Sequence, residues 1–288
     1  MASRIPPLLE TSLRIPPETS LVLLTSVLGS TTNWLVLRYL YSLLSTPSSS
    51  LIEEAGPGSP ATYGTSVLLV SFLRDYVFWK DGAGKLGIDL EALTKKGKFV
   101  FVDGLTGLFR TSHNLTPENS PGNASGKKVL SANTLQHLRR ELEDATAQLQ
   151  RSTTEEKIVL IVDQLDLLLA ASGDSISNQE LRDLMLGIRE KVYSSIITVS
   201  ADEPLMSLQT TSLEKEHAAF SVALAHDSHL IISLRKLDTG AARDVSGVLR
   251  ITPGAGNEGG DVDAIVEERE LLYFVTGDGG VRVFERGQ

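Results

Sequence analysis

"KIVLIVDQLDLLLAAS", residues 157–172, contains an unbroken apolar run from Ile158 to Val162 that ends in Asp163. An amphipathic strand alternates apolar and polar residues, and this one does not. A continuous run of this length reads as a strand buried on both faces, the kind found in parallel sheets covered by helices. The same signature occurs in "LVLLTSV" (21–27), "SVLLVSFL" (66–73), "KFVFVDGL" (98–105) and "IITVSAD" (196–202). Between these runs lie segments with helical spacing: "WLVLRYLYSLL" (34–44), "ANTLQHLRRELEDATAQLQ" (132–150) and "SNQELRDLMLGIREKVYSS" (177–195). In the last, Ser177 followed three residues on by Glu180 is the signature of a capping box. Alternation of buried strands with helices predicts an α/β fold, with a mainly parallel central sheet flanked by helices.

The remainder follows from this frame. "HLIISLRKL" (229–237), "SGVLRIT" (246–252), "ELLYFVT" (270–276) and "GVRVFER" (280–286) follow one another with short turns and no helix, which predicts antiparallel C-terminal strands extending the sheet. Residues 203–226 read as a loop and then a helix. "RDYVFWKDGAGKLGIDLEALTKKG" (74–97) reads as two short helices around its glycines. Two Pro-Pro pairs keep residues 1–18 out of a helix, so an extended arm is expected there. Residues 19–288 form the domain, with a polar, Gly/Pro-rich disordered insertion expected over 106–131.

Composition narrows the chemistry. The 288 residues include no cysteine, which removes disulfides, thiol catalysis and thiolate metal sites. Of five histidines only His226 and His229 are close, without an evident third ligand, so no metal or cofactor is expected. A formal charge of -9 makes the chain by itself a poor partner for polyanions. The apolar zone 21–44 is interrupted by "GSTTN" and carries Arg38, so it does not read as a membrane span. No signal peptide is evident at the N-terminus, and a soluble intracellular chain is expected.

Phosphate binding is the chemistry this frame invites. Gly82, Gly84 and Gly87 have the G-x-G-x-x-G spacing, but Gly82 does not follow a strand, as that fingerprint requires. Lys85 is followed by Leu86, where a P-loop needs a hydroxyl. "GNASGKK" (122–128) is one residue short and ends in Lys128. The loop in the right place, after the first strand, is "TSVLGSTTNW" (25–34), and it has no lysine. Gly29, Ser30, Thr31 and Thr32 therefore form a degenerate nucleotide loop, suited at most to weak anion contact at a helix N-terminus. Asp163 stands where a magnesium-linked acid would be placed, again without its usual companions. The alternative reading is an active nucleotide hydrolase, or a recombinase relative, that uses Asp163.

"KIVLIVDQLDLLLAASG", "HDSHLIISLRKLDTGAARDVSGVLRI" and "LLYFVTGDGGVRVF" together resemble the Elongator complex protein 6 family, as does "KLGIDLEALTKKGKFVFVDGL" (85–105). The strongest part is the register of Thr239, Gly240, Arg243, Asp244 and Gly247. The resemblance covers most of the chain from about residue 19, and it makes "GAGKLG" the approach to a helix. It implies a RecA-like domain without a working P-loop, and a non-catalytic role. It implies a hetero-hexameric ring with the fourth and fifth Elongator subunits, two copies of each, acting with the remaining Elongator subunits. The ring would bind tRNA and assist wobble-uridine modification, in the cytoplasm and secondarily the nucleus. Any ATPase activity would belong to the assembled ring. In such a ring the turn 238–247, with Arg243 and Asp244, is the expected subunit contact. The loops 171–177 and 202–216 would face the pore, with Ser207, Gln209, Thr210 and Lys215 toward RNA.

Overall fold

The computed structural model describes residues 4–45, 64–109, 126–130, 134–152, 156–237, 240, 242–257 and 266–285. Ten strands form one sheet: β1 (Leu21–Ser26), β2 (Thr65–Ser71), β3 (Phe99–Asp103), β4 (Lys127–Val129), β5 (Lys157–Asp163), β6 (Ser194–Ser200), β7 (Leu230–Arg235), β8 (Gly247–Pro253), β9 (Arg269–Val275) and β10 (Val281–Phe284). Their order is β10-β9-β8-β7-β1-β6-β5-β2-β3-β4. Pairings from β7 through β4 are parallel, and β7–β8, β8–β9 and β9–β10 are antiparallel. The expected mainly parallel sheet with antiparallel C-terminal strands is what forms.

The continuous apolar runs are explained by cores on both faces. Val22, Leu24, Val67, Leu69, Phe99, Phe101, Val159 and Ile161 face one side, under α1 (Asn33–Leu44), α2 (Tyr76–Lys85) and α3 (Leu90–Lys95). Their sequence neighbours Leu21, Leu23, Leu68, Val70, Val100, Val102, Leu160 and Val162 face the other. There they meet α5 (Leu135–Ser152), α6 (Leu167–Ser172), α7 (Asn178–Arg189) and α8 (Ser212–Asp227). Successive side chains on a strand alternate faces, so every strand position must be apolar when both faces are covered. Ser177 caps α7 and Glu180 returns the bond, which completes the expected capping box.

Three expectations change. The N-terminal segment holds a 3-10 turn, Pro7–Leu9, and buries Leu9 and Leu13 completely, while Tyr39 Oη donates to the Ser12 carbonyl at 2.7 Å. The prolines do prevent a helix, but two leucines dock the segment on the α1 face. Within 106–131, α4 (Gly104–Phe109) starts before the expected insertion, and β4 pairs with β3 from Lys127. Residues 110–125 and 131–133 lie outside the described residues, as do 122–125 of "GNASGKK". Finally, "GAGKLG" is not the approach to a helix. Gly82 and Gly84 lie inside α2, and only Gly87, at φ +85°, follows it in the left-handed region.

Candidate functional site at the carboxyl edge of the sheet

In open α/β sheets ligands gather at the carboxyl ends of the strands. Here that edge starts with the β1–α1 loop. Several of its hydrogen-bonding groups are engaged within the fold. Ser30 N–H donates to the Val27 carbonyl at 2.9 Å. Ser30 Oγ lies 2.8 Å from that carbonyl, 3.0 Å from the Leu234 carbonyl and 3.2 Å from the Val27 amide, so it closes the turn onto β7. Thr31 Oγ1 accepts from the Asn33 amide at 3.3 Å, and Thr32 is buried. The Leu28 amide donates to Asp202 Oδ1 at 2.6 Å, a short charge-assisted bond. A carboxylate from the end of β6 thus sits on the loop where a phosphate would seek donors.

Gly29 completes the arrangement with φ +87°. A Cβ there would stand 1.8 Å from Lys236 Cε and 2.2 Å from its Nζ. The loop carries no lysine in sequence, yet one lies over it in space, delivered from the end of β7. Asp202 and Lys236 are two residues whose place on this loop sequence reasoning missed. They lie 174 and 207 positions from the loop residues they meet, and neither belongs to a local motif.

Asp163 is at the end of β5 as expected, but it is fully buried. Ser71 Oγ donates to its Oδ2 at 2.8 Å and Thr198 Oγ1 to its Oδ1 at 3.3 Å. Thr198 Oγ1 in turn accepts the amide of Gln164, which sits at φ +55°. Burial pushes the Asp163 carboxyl up to about 6, against the opposing pull of the two hydroxyls. One turn on, Asp166 is also buried and its carboxyl raised by burial, while His217 Nε2 lies 3.0 Å from the Ser200 carbonyl and its Nδ1 3.9 Å from Asp166 Oδ2. This is an interior polar network tying β2, β5, β6 and α8 together.

Beside the loop a groove of about 910 Å³ opens between α1, α2 and the β9–β10 turn. Gly29, Ser30 and Thr31 line it together with Gly82 and Lys85. The two glycine stretches that looked like phosphate motifs therefore do meet. Gly82, however, serves packing: a Cβ would stand 2.8 Å from Leu37 Cδ1, so its absence lets α2 approach α1. Arg38 Nη2 donates to the Gly279 carbonyl at 3.0 Å and holds the β9–β10 turn across the groove.

The segment expected to form a flexible RNA-facing loop is more ordered than its composition suggests. Pro204–Leu208 is a π-helical turn, ended by Gln209 in the left-handed region. Ser207 Oγ donates to the Glu203 carbonyl and Gln209 Nε2 to the Met206 carbonyl. Thr210 N and Oγ1 each lie 2.6 Å from Glu214 Oε2, inside a second capping box that starts α8 at Thr211. Lys215 is consequently on α8 and not in a loop. The 171–177 segment contains a 3-10 turn, Gly173–Ser175. Arg243 and Asp244 are exposed between β7 and β8, and Asp244 borders a cleft with Pro6, Pro7 and β10. Asp238, Thr239 and Ala241 of the same turn lie outside the described residues.

The family described as Elongation complex protein 6 matches this chain over residues 62–274. The Elongator complex protein 6 homolog of Schizosaccharomyces pombe is 26% identical over 207 residues, 71% of this chain and 73% of that protein. Elongator complex protein 6 of Xenopus laevis is 26% identical over 277 residues, covering 92% and 96% respectively. Elongator complex protein 6 of Danio rerio is 25% identical over 230 residues, 78% and 81%. Among solved structures, a KaiC-like protein from Pyrococcus horikoshii OT3 superposes with a TM-score of 0.57 at 14% identity, over 99% of this chain and 98% of that one. At that identity the likeness concerns the fold, which is RecA-like.

Proposed function

The chain belongs to the Elongation complex protein 6 family, and from that premise we propose that it is a non-catalytic RecA-like subunit of Elongator. Its partners are the fourth and fifth Elongator subunits, in a hetero-hexameric ring with two copies of each. That ring binds tRNA and assists modification of the wobble uridine, in the cytoplasm and secondarily the nucleus. The observation that carries the non-catalytic reading is the Leu28–Asp202 bond at 2.6 Å. A loop whose amide is held by an internal carboxylate, and whose Ser30 hydroxyl is spent on the turn, has little left to offer a triphosphate. The enclosed Asp163 supports the same reading against an active hydrolase. Among the described residues no helix is long and apolar enough to cross a membrane.

Within the ring, Arg243 and Asp244 contribute to a subunit contact, and Ser207, Gln209, Thr210 and Lys215 face RNA. Asp202, Glu203, Glu214 and Glu216 oppose phosphate near those residues, so tight tRNA binding at this surface needs the assembled ring, where weak contacts add through multivalency. The test is a tRNA gel shift with the lone chain, the ring, and a ring carrying Gln209→Ala/Lys215→Ala, which spares both caps of α8. Tight binding by the ring alone, weakened several-fold in the variant, is expected. Binding by the variant ring equal to the parent's removes the RNA-facing assignment, and ATP turnover by the lone chain removes the non-catalytic one.

A further inference from the structure

Two lysine runs, "TKKGK" (94–98) and "GKK" (126–128), are about thirty positions apart in sequence but share one edge of the fold. β4 pairs with β3 in the register Phe101↔Lys127, which carries the second run alongside the first. Gly126, at φ +90°, lies so close to α3 that a Cβ would stand 2.0 Å from Thr94 Cγ2. On the other side Gly97, at φ +72°, meets the end of α5, where a Cβ would stand 2.4 Å from Ser152 Cβ. The ends of α3 and α5 and the start of β4 therefore converge. They bring together Lys95, Lys96, Lys127 and Arg151, all exposed.

Two further lysines here are neutralised: Lys98 Nζ lies 2.7 Å from Glu156 and Lys128 Nζ 3.7 Å from Glu141. Lys127 Nζ rests 4.8 Å from the centre of the Tyr76 ring. Protection of an edge strand accounts for lysines on β4. The helix dipole accounts for one cation each at the ends of α3 and α5. Neither accounts for Lys96, nor for two helices ending beside the same lysine-bearing edge in a chain of net charge -9. Among the described residues, the exposed large apolar side chains, Leu28, Val77, Phe78, Leu186, Leu208, Leu213 and Val222, all lie off α3, β4 and α5. A protein interface is centred on apolar and aromatic residues and depleted in lysine, whereas a nucleic-acid interface is polar and positive.

We propose that this edge is a contact surface for a nucleic-acid phosphate backbone, with Lys95, Lys96, Lys127 and Arg151 as its charges. It is separate from the residues that follow β6, reads no sequence, and operates in the lone chain as well as in any assembly. Its affinity is modest and strongly salt-dependent.

The test uses the full chain and a labelled single-stranded RNA, titrated by fluorescence anisotropy from about 50 to about 200 mM salt. Each phosphate contact on a single strand contributes about 0.7 to the slope of log K against log salt. Lys95→Gln/Lys96→Gln/Lys127→Gln should lower that slope by about 2 and the affinity at about 50 mM salt at least tenfold. Arginine at the same three positions should keep the parental affinity, and Arg282→Gln, exposed on β10 at the opposite edge of the sheet, should leave it unchanged. The proposal is overturned by absence of binding at about 50 mM salt. A parental slope in the glutamine variant, or loss of binding in the arginine variant, overturns it equally. So does displacement of the RNA by polyglutamate of matched charge at equal potency, which would make the edge a surface for acidic protein.

Discussion

Replacing Asp163 by Asn isolates what an ionisable group costs in the interior of this sheet. The Asp163 carboxyl is raised to about 6 in the folded chain, whereas the unfolded value is about 3.9. A raised carboxyl has the opposite sign from the usual surface acid. Between these two values the folded state holds more protons than the unfolded state. This group therefore destabilises the fold progressively as pH rises from about 4 to about 6, and its penalty is complete above that. At pH 7 the two values give about 3 kcal/mol, and at pH 4.5 about 1 kcal/mol, a difference of about 2 kcal/mol. Asn keeps the shape, can accept from Ser71 Oγ through its carbonyl, and gives up the charge-assisted bond from Thr198, about 1.5 kcal/mol, less than the penalty at pH 7. Relative to the parent, Asp163→Asn should gain about 2 kcal/mol between pH 4.5 and pH 7 and be the more stable protein at neutrality. With an m-value of about 3 kcal/mol/M, urea midpoints should diverge by about 0.6 M across that range. A variant less stable than the parent by the same amount at both pH values would mean that the hydroxyl bonds outweigh burial, and would refute this reasoning.

Other outcomes follow from the same geometry. Gly29→Ala forces a side chain into a positive-φ position beside Lys236, so thermal unfolding should report a loss of about 1–2 kcal/mol, with Lys236→Ala in the same chain recovering only the steric part. Leu13→Ala should cost about 2–5 kcal/mol in urea unfolding if the N-terminal segment is part of the core, and almost nothing if it is a loose arm. Asp202→Ala removes the carboxylate from the Leu28 amide. It should lower stability by about 1–2 kcal/mol, and calorimetry should still detect no ATP binding, because the Ser30 hydroxyl remains turned inward. Arg243→Glu should reduce co-purification with the two partner subunits, and an unchanged hexamer in native mass spectrometry would count against that contact.

What the sequence discloses here depends on how far apart the interacting residues are. Ile158–Val162 and its counterparts announce buried strands because both faces of each strand must be apolar, and Ser177 with Glu180 announces a helix start because that chemistry is contained in four residues. β4 is three residues long with two lysines among them, so it carries no apolar signal and is held by register with β3. The reading of 1–18 correctly took Pro as a helix breaker, but Leu9 and Leu13 dock through contacts that no local pattern encodes. At the carboxyl edge, the sequence alone displays a β1–α1 loop without a lysine. It could not show Asp202 and Lys236 on that loop, or Ser71 and Thr198 around Asp163, because each of those encounters is created by the sheet order.

The bond from Leu28 to Asp202 bears on how this subunit could take part in a cycle. A ligand changes a protein's conformation only to the extent that it binds one state more tightly than another. In a related fold that gains and loses an anion at this loop, the difference between full and empty can be transmitted to neighbouring subunits. Here the anion that meets the Leu28 amide is a side chain of the same polypeptide, so the bond forms without any ligand being gained from solution. At that bond nothing exchangeable is available to favour one conformation over another.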